Sequence, residues 1–94
     1  MNNSINRQKR IIKILKKNLQ PQLLLVNDES HLHKGHAGVE KGTTETHFFI
    51  EIISKEFRDK NRIDRHRIIN SLLDEEFNLG LHAITLKLRD DTEV

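Results

Sequence analysis

Apolar residues along this chain are bunched, and the spacing inside each bunch differs from the next. Over residues 4–19, Ile12, Leu15 and Leu19 recur at three- and four-residue intervals, and Ile11 and Ile14 widen the stripe. That period predicts an amphipathic helix, with Ser4 as its N-cap and Pro21 as its stop. Residues 23–26 form an unbroken apolar run whose length suits a strand. At residues 47–53 the period shortens to two. Phe48, Ile50 and Ile52 share one face and His47, Phe49, Glu51 and Ile53 the other, which predicts a strand. Ser54 is placed to cap a short helical turn over residues 55–58. Asp64 is placed to cap a longer helix carrying Ile68, Ile69, Leu72, Leu73 and Phe77. Gly80 ends that helix. Alternation returns over residues 81–88, with His82, Ile84, Leu86 and Leu88 on one side.

Between the first two strands the pattern lapses. Residues 27–46 hold almost no large apolar side chain, three glycines (Gly35, Gly38, Gly42) and three histidines in HLHKGH. A loop of this length inside a small domain is uncommon and is a natural place to look for function. The element order reads α-β-β-α-α-β. Three strands with helices on one face make a two-layer α+β domain. The whole chain, 1–94, reads as one domain without internal repeats, with residues 1–3 and 89–94 expected to fray.

Composition narrows the chemistry. The chain is 94 residues long and 35% hydrophobic, with four aromatics, all Phe, so Ile and Leu must build the core. A domain of this size buries roughly 60–65% of its unfolded surface, which leaves little room for an enclosed substrate pocket. There is no cysteine, and this excludes disulfides, a thiol nucleophile, a thiolate zinc site and a self-sufficient four-cysteine cluster. Six histidines become the main metal-ligand resource. No apolar run is long enough to span a membrane and no secretory signal opens the chain, so a cytoplasmic, membrane-free protein is the expectation. The net charge is +2, yet Arg7, Lys9, Arg10, Lys13, Lys16 and Lys17 follow one another with no acid between them. That helix reads as a solvated face. Nothing resembles a nucleophile–base–orienter set, so no enzymatic activity is expected. Asp74, Glu75 and Glu76 are consecutive on a helix and read as solubility residues.

Short motifs spread over nearly the whole chain resemble the BolA family: NDES (27–30), GHAG (35–38), ETHF (45–48), ISKEF (53–57), DRHR (64–67), LLDEE (72–76) and GLHAI (80–84). The resemblance implies a fold similar to a class II KH domain. It also implies a non-enzymatic adaptor that pairs with a monothiol glutaredoxin, with its glutathione, and shares a bridging 2Fe–2S cluster in cluster trafficking and iron homeostasis. On that resemblance His82 matches the family's ligand at the start of the last strand. With no cysteine present, the second ligand matches the histidine type of the family, with His36 of GHAG the better match and His33 the substitute. Alone, such a domain is expected to be a monomer or weak homodimer without cofactor. On the residues alone His82, in line with Ile84, Leu86 and Leu88, reads as a packed histidine at the core edge; the resemblance turns that reading toward a ligand. The loop histidines His31, His33 and His36 could also form an adventitious metal site, though their spacing is loose for structural zinc. His47 is expected to orient the loop by a backbone contact, and His66 to serve at a helix start.

The resemblance carries a second role, since some bacterial members are described as DNA-binding transcriptional regulators. Arg58, Lys60, Arg62, Arg65 and Arg67 surround the turn between the two later helices and are the candidate nucleic-acid contacts. In a KH-like fold that turn would carry a GXXG loop, but DKNR and RIDR stand there instead, with no aromatic for base stacking. Salt-sensitive phosphate contact is the form such binding would take. Otherwise these cations read as a solvated face or a glutaredoxin dock.

Overall fold

The computed structural model describes residues 7–30 and 45–93. Helix α1 spans Arg7–Leu19, strand β1 Leu23–Asp28, strand β2 His47–Ile53, helix α2 Arg62–Leu72, helix α3 Asp74–Asn78 and strand β3 Ala83–Arg89, with a 3-10 turn at Lys55–Phe57. The strands lie in the order β1-β2-β3. β1 runs antiparallel to β2, and β3 runs parallel to it. A parallel pair needs a long crossover, and the 3-10 turn, α2 and α3 supply it. The expected two-layer α+β architecture, three strands with helices on one face, is what forms.

The core lies between α1, α2 and the inner face of the sheet. Ile11, Leu15 and Leu19 of α1 meet Val26, Phe48, Ile50 and Ile52, with Phe57, Ile69, Leu73 and Leu81 closing the sides. The α1 stripe is therefore centred on Ile11, one residue before the predicted Ile12, which is half-buried beside it. β2 alternates as expected, its even-numbered side chains buried. Ile84, Leu86 and Leu88 pack against the same core. On the outer face Leu23 and Leu25 are about two-fifths exposed, and Glu51 pairs with Arg89 at 2.8 Å.

Four expectations change. β1 continues to Asp28, opposite Phe48, because the ladder gives Asn27 and Asp28 partners; the loop is shorter than the apolar pattern suggested. α2 begins at Arg62 and is capped by Asn61, whose side chain accepts from Asp64 N at 2.8 Å. Asn is as good a cap as Asp, and Asp64 falls in the first turn, where its charge suits the helix N-terminus. The single helix read over residues 64–79 is two, since Leu73 leaves helical geometry at φ −101°, ψ 12°. Finally, the segment after β3, expected to fray, is fastened. Asp90 N and the Arg65 guanidinium donate to Glu93, and Arg58 pairs with Asp91. Ser54 caps the 3-10 turn as predicted, accepting from Glu56 N. Ser4 and residues 1–3 lie outside the described residues.

Candidate functional site

His82 leaves a turn whose backbone groups are held one by one. Gly80 sits at φ +119°, which favours glycine, directly before the apolar residue that re-enters the core. Leu81 is buried and donates its N–H to Glu76 O at 2.9 Å. His82 N and Ala83 N then both donate to Thr46 O, at 2.8 and 3.1 Å. Leu81 takes the buried position, and His82 is exposed. The packed core-edge reading of this histidine is thereby replaced by an imidazole standing in solvent on a fixed backbone. The ring of His47 meets it edge-on, with centroids 5.6 Å apart and planes at 74°. Thr46 Oγ1 lies 2.9 Å from His47 Nδ1.

The same end of the sheet receives both ends of segment 31–44. Asp28 holds them with one carboxylate. Oδ1 accepts from Ser30 N and Oγ at 2.9 and 2.6 Å, and Oδ2 accepts from Glu45 N at 3.1 Å. The expected backbone contact of His47 is on the entry side, where Glu29 N donates to His47 O at 2.7 Å. His33 and His36, the candidate second ligands, and His31 lie outside the described residues. The chain nevertheless leaves at Ser30 and returns at Glu45, one residue before the carbonyl that binds His82.

Two carboxylates organise this region, Glu45, to which sequence reasoning gave no role, and Glu76, which it read as a solubility residue. Glu45, at φ 59°, turns its carboxylate onto the first described turn of α1, accepting from Arg7 N at 3.2 Å and Gln8 N at 2.8 Å. A carboxylate there is favoured by the helix dipole. Glu76 is only 2% exposed, so it is not a solubility residue. It accepts from Arg10 Nε at 2.7 Å, Arg10 Nη2 at 2.9 Å and Arg7 Nε at 3.1 Å. The Arg10 hydrogen bond, the largest cause, holds its carboxyl below the usual glutamate range even against burial. One sequence signal pointed to it: Ile69, Leu73 and Glu76 continue the helical stripe at intervals of four and three.

The five candidate nucleic-acid cations do not form one surface. Arg65 is 11% exposed and donates to Lys60 O, Leu88 O, Asp90 and Glu93, with its guanidinium 5.9 Å from the Phe57 ring centre. Arg58 is taken up by Asp91. Lys60, Arg62 and Arg67 remain exposed, Arg67 only loosely paired with Asp64 at 3.8 Å. Lys60 and Arg62 edge an open cleft between α2 and β3, floored by Leu86 and Leu88. His66 donates from Nδ1 to Arg62 O at 2.8 Å, a role inside the helix.

The fold and this end of the sheet define a small two-layer α+β domain that presents one exposed imidazole beside the roots of a histidine-bearing segment. The chain belongs to the BolA-like protein family, whose sequence model matches residues 15–93. It is 43% identical over 90 residues to the chloroplastic protein BOLA1 of Arabidopsis thaliana, covering 94% of this chain and 56% of that relative. The chain thus spans little more than half of that protein's length. It is 38% identical over 74 residues to the DNA-binding transcriptional regulator BolA of Haemophilus influenzae, covering 79% of this chain and 67% of the relative. The solved BolA domain of SufE1 from Arabidopsis thaliana superposes with a TM-score of 0.87 at 38% identity, covering 98% of this chain and all of that one.

Proposed function

We propose that this protein is a non-enzymatic adaptor that pairs with a monothiol glutaredoxin and co-ligates a 2Fe–2S cluster as shared cargo. The observation that carries the reading is the exposed His82 imidazole on a backbone held by Thr46, next to both ends of segment 31–44. Imidazole is a good ligand for iron, and a 2Fe–2S centre with two histidines on one iron is a known chemical type. His82 would supply one nitrogen and His36, or His33 in its place, the other. This cysteine-free chain leaves the sulfur ligands to the partner and its glutathione. Membership in the BolA-like family supports the partnership, and the cytoplasm is the proposed compartment. The test is visible circular dichroism of cluster-loaded glutaredoxin mixed with this protein. The bands should change on mixing, and the change should be lost in His82→Ala. Spectra indifferent to His82→Ala would sink the ligand assignment.

A second reading, a DNA-binding regulator, is favoured by the exposed Lys60, Arg62 and Arg67 and by the likeness to relatives described as DNA-binding regulators. With Arg58 and Arg65 turned to other partners, it calls for weak binding dominated by phosphates. Replacing Arg62 and Arg67 by Ala should reduce the slope of log affinity against log salt by about 2. Absence of duplex binding at low salt would remove this reading.

A further inference from the structure

We infer that Arg7 is a positioning residue for His82: one side chain sets the relative placement of the histidine-bearing turn and the return of segment 31–44. Three of its nitrogens reach three separate pieces of chain. Nη1 donates to Glu45 O, at the return of the segment. Nη2 donates to Leu79 O at 2.8 Å, in the turn that leads to His82. Nε donates to the buried Glu76, which holds the guanidinium in orientation from α3. The Arg7 main chain adds a fourth tie, its N–H meeting the Glu45 carboxylate. The side chain is only 12% exposed, so water competes poorly for its bonds to Glu76 and Glu45 O, while the bond to Leu79 O lies at the solvent edge.

The geometry gives the strut a specific object. Glu45 O and Leu79 O flank the Thr46 O···H–N His82 bond in sequence, one on each side of the junction. Fixing both carbonyls fixes that junction and the starting direction of β3. Glu45 is held in the left-handed region at φ 59°, which a glutamate enters only with outside support, and Arg7 supplies part of it from two directions. The packing is close on the other side as well: a Cβ on Gly80 would come within 3.3 Å of Arg7 Nη2. Arg10 provides an internal control. It shares Glu76 through two bonds, and its recorded hydrogen bonds involve neither carbonyl.

The purpose of the strut rests on the cluster-adaptor reading; its geometry does not, and the experiment separates the two. Arg7→Lys, Arg10→Lys and His82→Ala are compared with the wild type by NMR of the isolated protein and by visible circular dichroism after mixing with cluster-loaded monothiol glutaredoxin. Arg7→Lys keeps the charge but cannot span three acceptors. It should move the His82 amide and the imidazole resonances of His82 and His47, whereas Arg10→Lys should leave them at their wild-type positions. In the mixture Arg7→Lys should alter the cluster bands and weaken cluster retention about tenfold, as loss of a ligand-orienting contact does; Arg10→Lys should do neither. His82 resonances unmoved by Arg7→Lys, or moved equally by Arg10→Lys, would overturn the inference and leave Arg7 a stability residue. If His82→Ala leaves the cluster spectrum unchanged, the ligand assignment fails and the shifts in the isolated protein still decide the strut. Should Arg7→Lys not fold, Gly80→Ala presses on the guanidinium from the opposite side and must shift the same resonances; no shift there overturns the proposal.

Discussion

Arginines fasten both ends of β3, and the two fastenings differ in how much water they meet. Before the first strand residue, Arg7 and Arg10 converge on Glu76, whose side chain is 3% exposed. After the last, Arg65 reaches the buried Asp90 and the exposed Glu93, at 46%, and Arg58, 53% exposed, reaches Asp91. The residue types are the same at both ends. Burial separates Glu76 from Glu93 and from the Arg58–Asp91 pair, because a carboxylate stripped of water has no replacement for a lost partner, while an exposed one is rehydrated at once. The Glu76 fastening lies in the elements that lead to His82, the proposed ligand, whereas the far one pins the segment after β3.

The largest expected effect is therefore at Glu76. Glu76→Ala leaves Arg7 and Arg10 facing each other across a vacated site, and Arg7 is largely enclosed. Breaking a buried pair from one side costs about 3 kcal/mol or more, so denaturant unfolding should show a loss of that order. An unfolding midpoint equal to that of the wild type would mean that water reaches Glu76 and that the contrast between the two ends is false. Acid should expose the same difference. Because Arg10 lowers the pKa of Glu76 in the folded state, the stability it adds is complete above the ordinary glutamate range and disappears as pH falls through the depressed folded value. Glu76→Gln should flatten the fall in melting temperature in that acid window. Asp90 and Asp91 are also depressed, by Thr92 and by Arg58 respectively, so part of the slope will persist. The Asp91 share should shrink in about 1 M salt, where the screening length is near 3 Å, and the Glu76 share should not.

The same contrast explains what the sequence revealed. Period-two and helical stripes are written in local order, and they marked β2, the inner face of β3, and α1 to within one residue. The exposure of His82 was not legible locally: alternation aligned it with Ile84, Leu86 and Leu88, whereas the turn at Gly80 gives the buried position to Leu81, and only the family resemblance singled the histidine out. Glu76 and Glu45 were not legible as structural residues, because their partners lie 66 and 38 positions away and charge runs look alike whether buried or solvated. The cations at 58–67 misled for the same reason: nothing local tells Arg65, turned inward over Phe57, from Arg67, 77% exposed in solvent. The division of one predicted helix at Leu73 was also silent, as no glycine or proline marks it.

An intermediate effect is expected at Arg65, which sharpens the distinction within the cluster. Its guanidinium bonds two main-chain carbonyls besides its two carboxylates. Arg65→Ala should cost about 1.5–3 kcal/mol, the range for hydrogen bonds that involve a charged group, and should loosen Asp90 and Glu93 in hydrogen exchange. Arg67→Ala should stay within about 0.5 kcal/mol, as surface substitutions do. Equal effects at the two positions would mean that Arg65 is as hydrated as its neighbour.

The smallest effect should come from the exposed pair, Arg58 and Asp91. Both hydrogen bonds of the guanidinium go to one carboxylate, a geometry that raises the pKa of the arginine and lowers that of the aspartate. Such a pair would matter if it were buried, but here water and salt reach it, and two mobile side chains must be ordered to make it. Arg58→Ala, Asp91→Ala and the double variant should all melt within the scatter of repeat measurements. The coupling in the double-mutant cycle should vanish as salt is raised. A coupling that survives about 1 M salt would show that this end of β3 is shielded like the other. The two fastenings would then be alike, and the preference for His82's end as the organised one would have to rest on Arg7 alone.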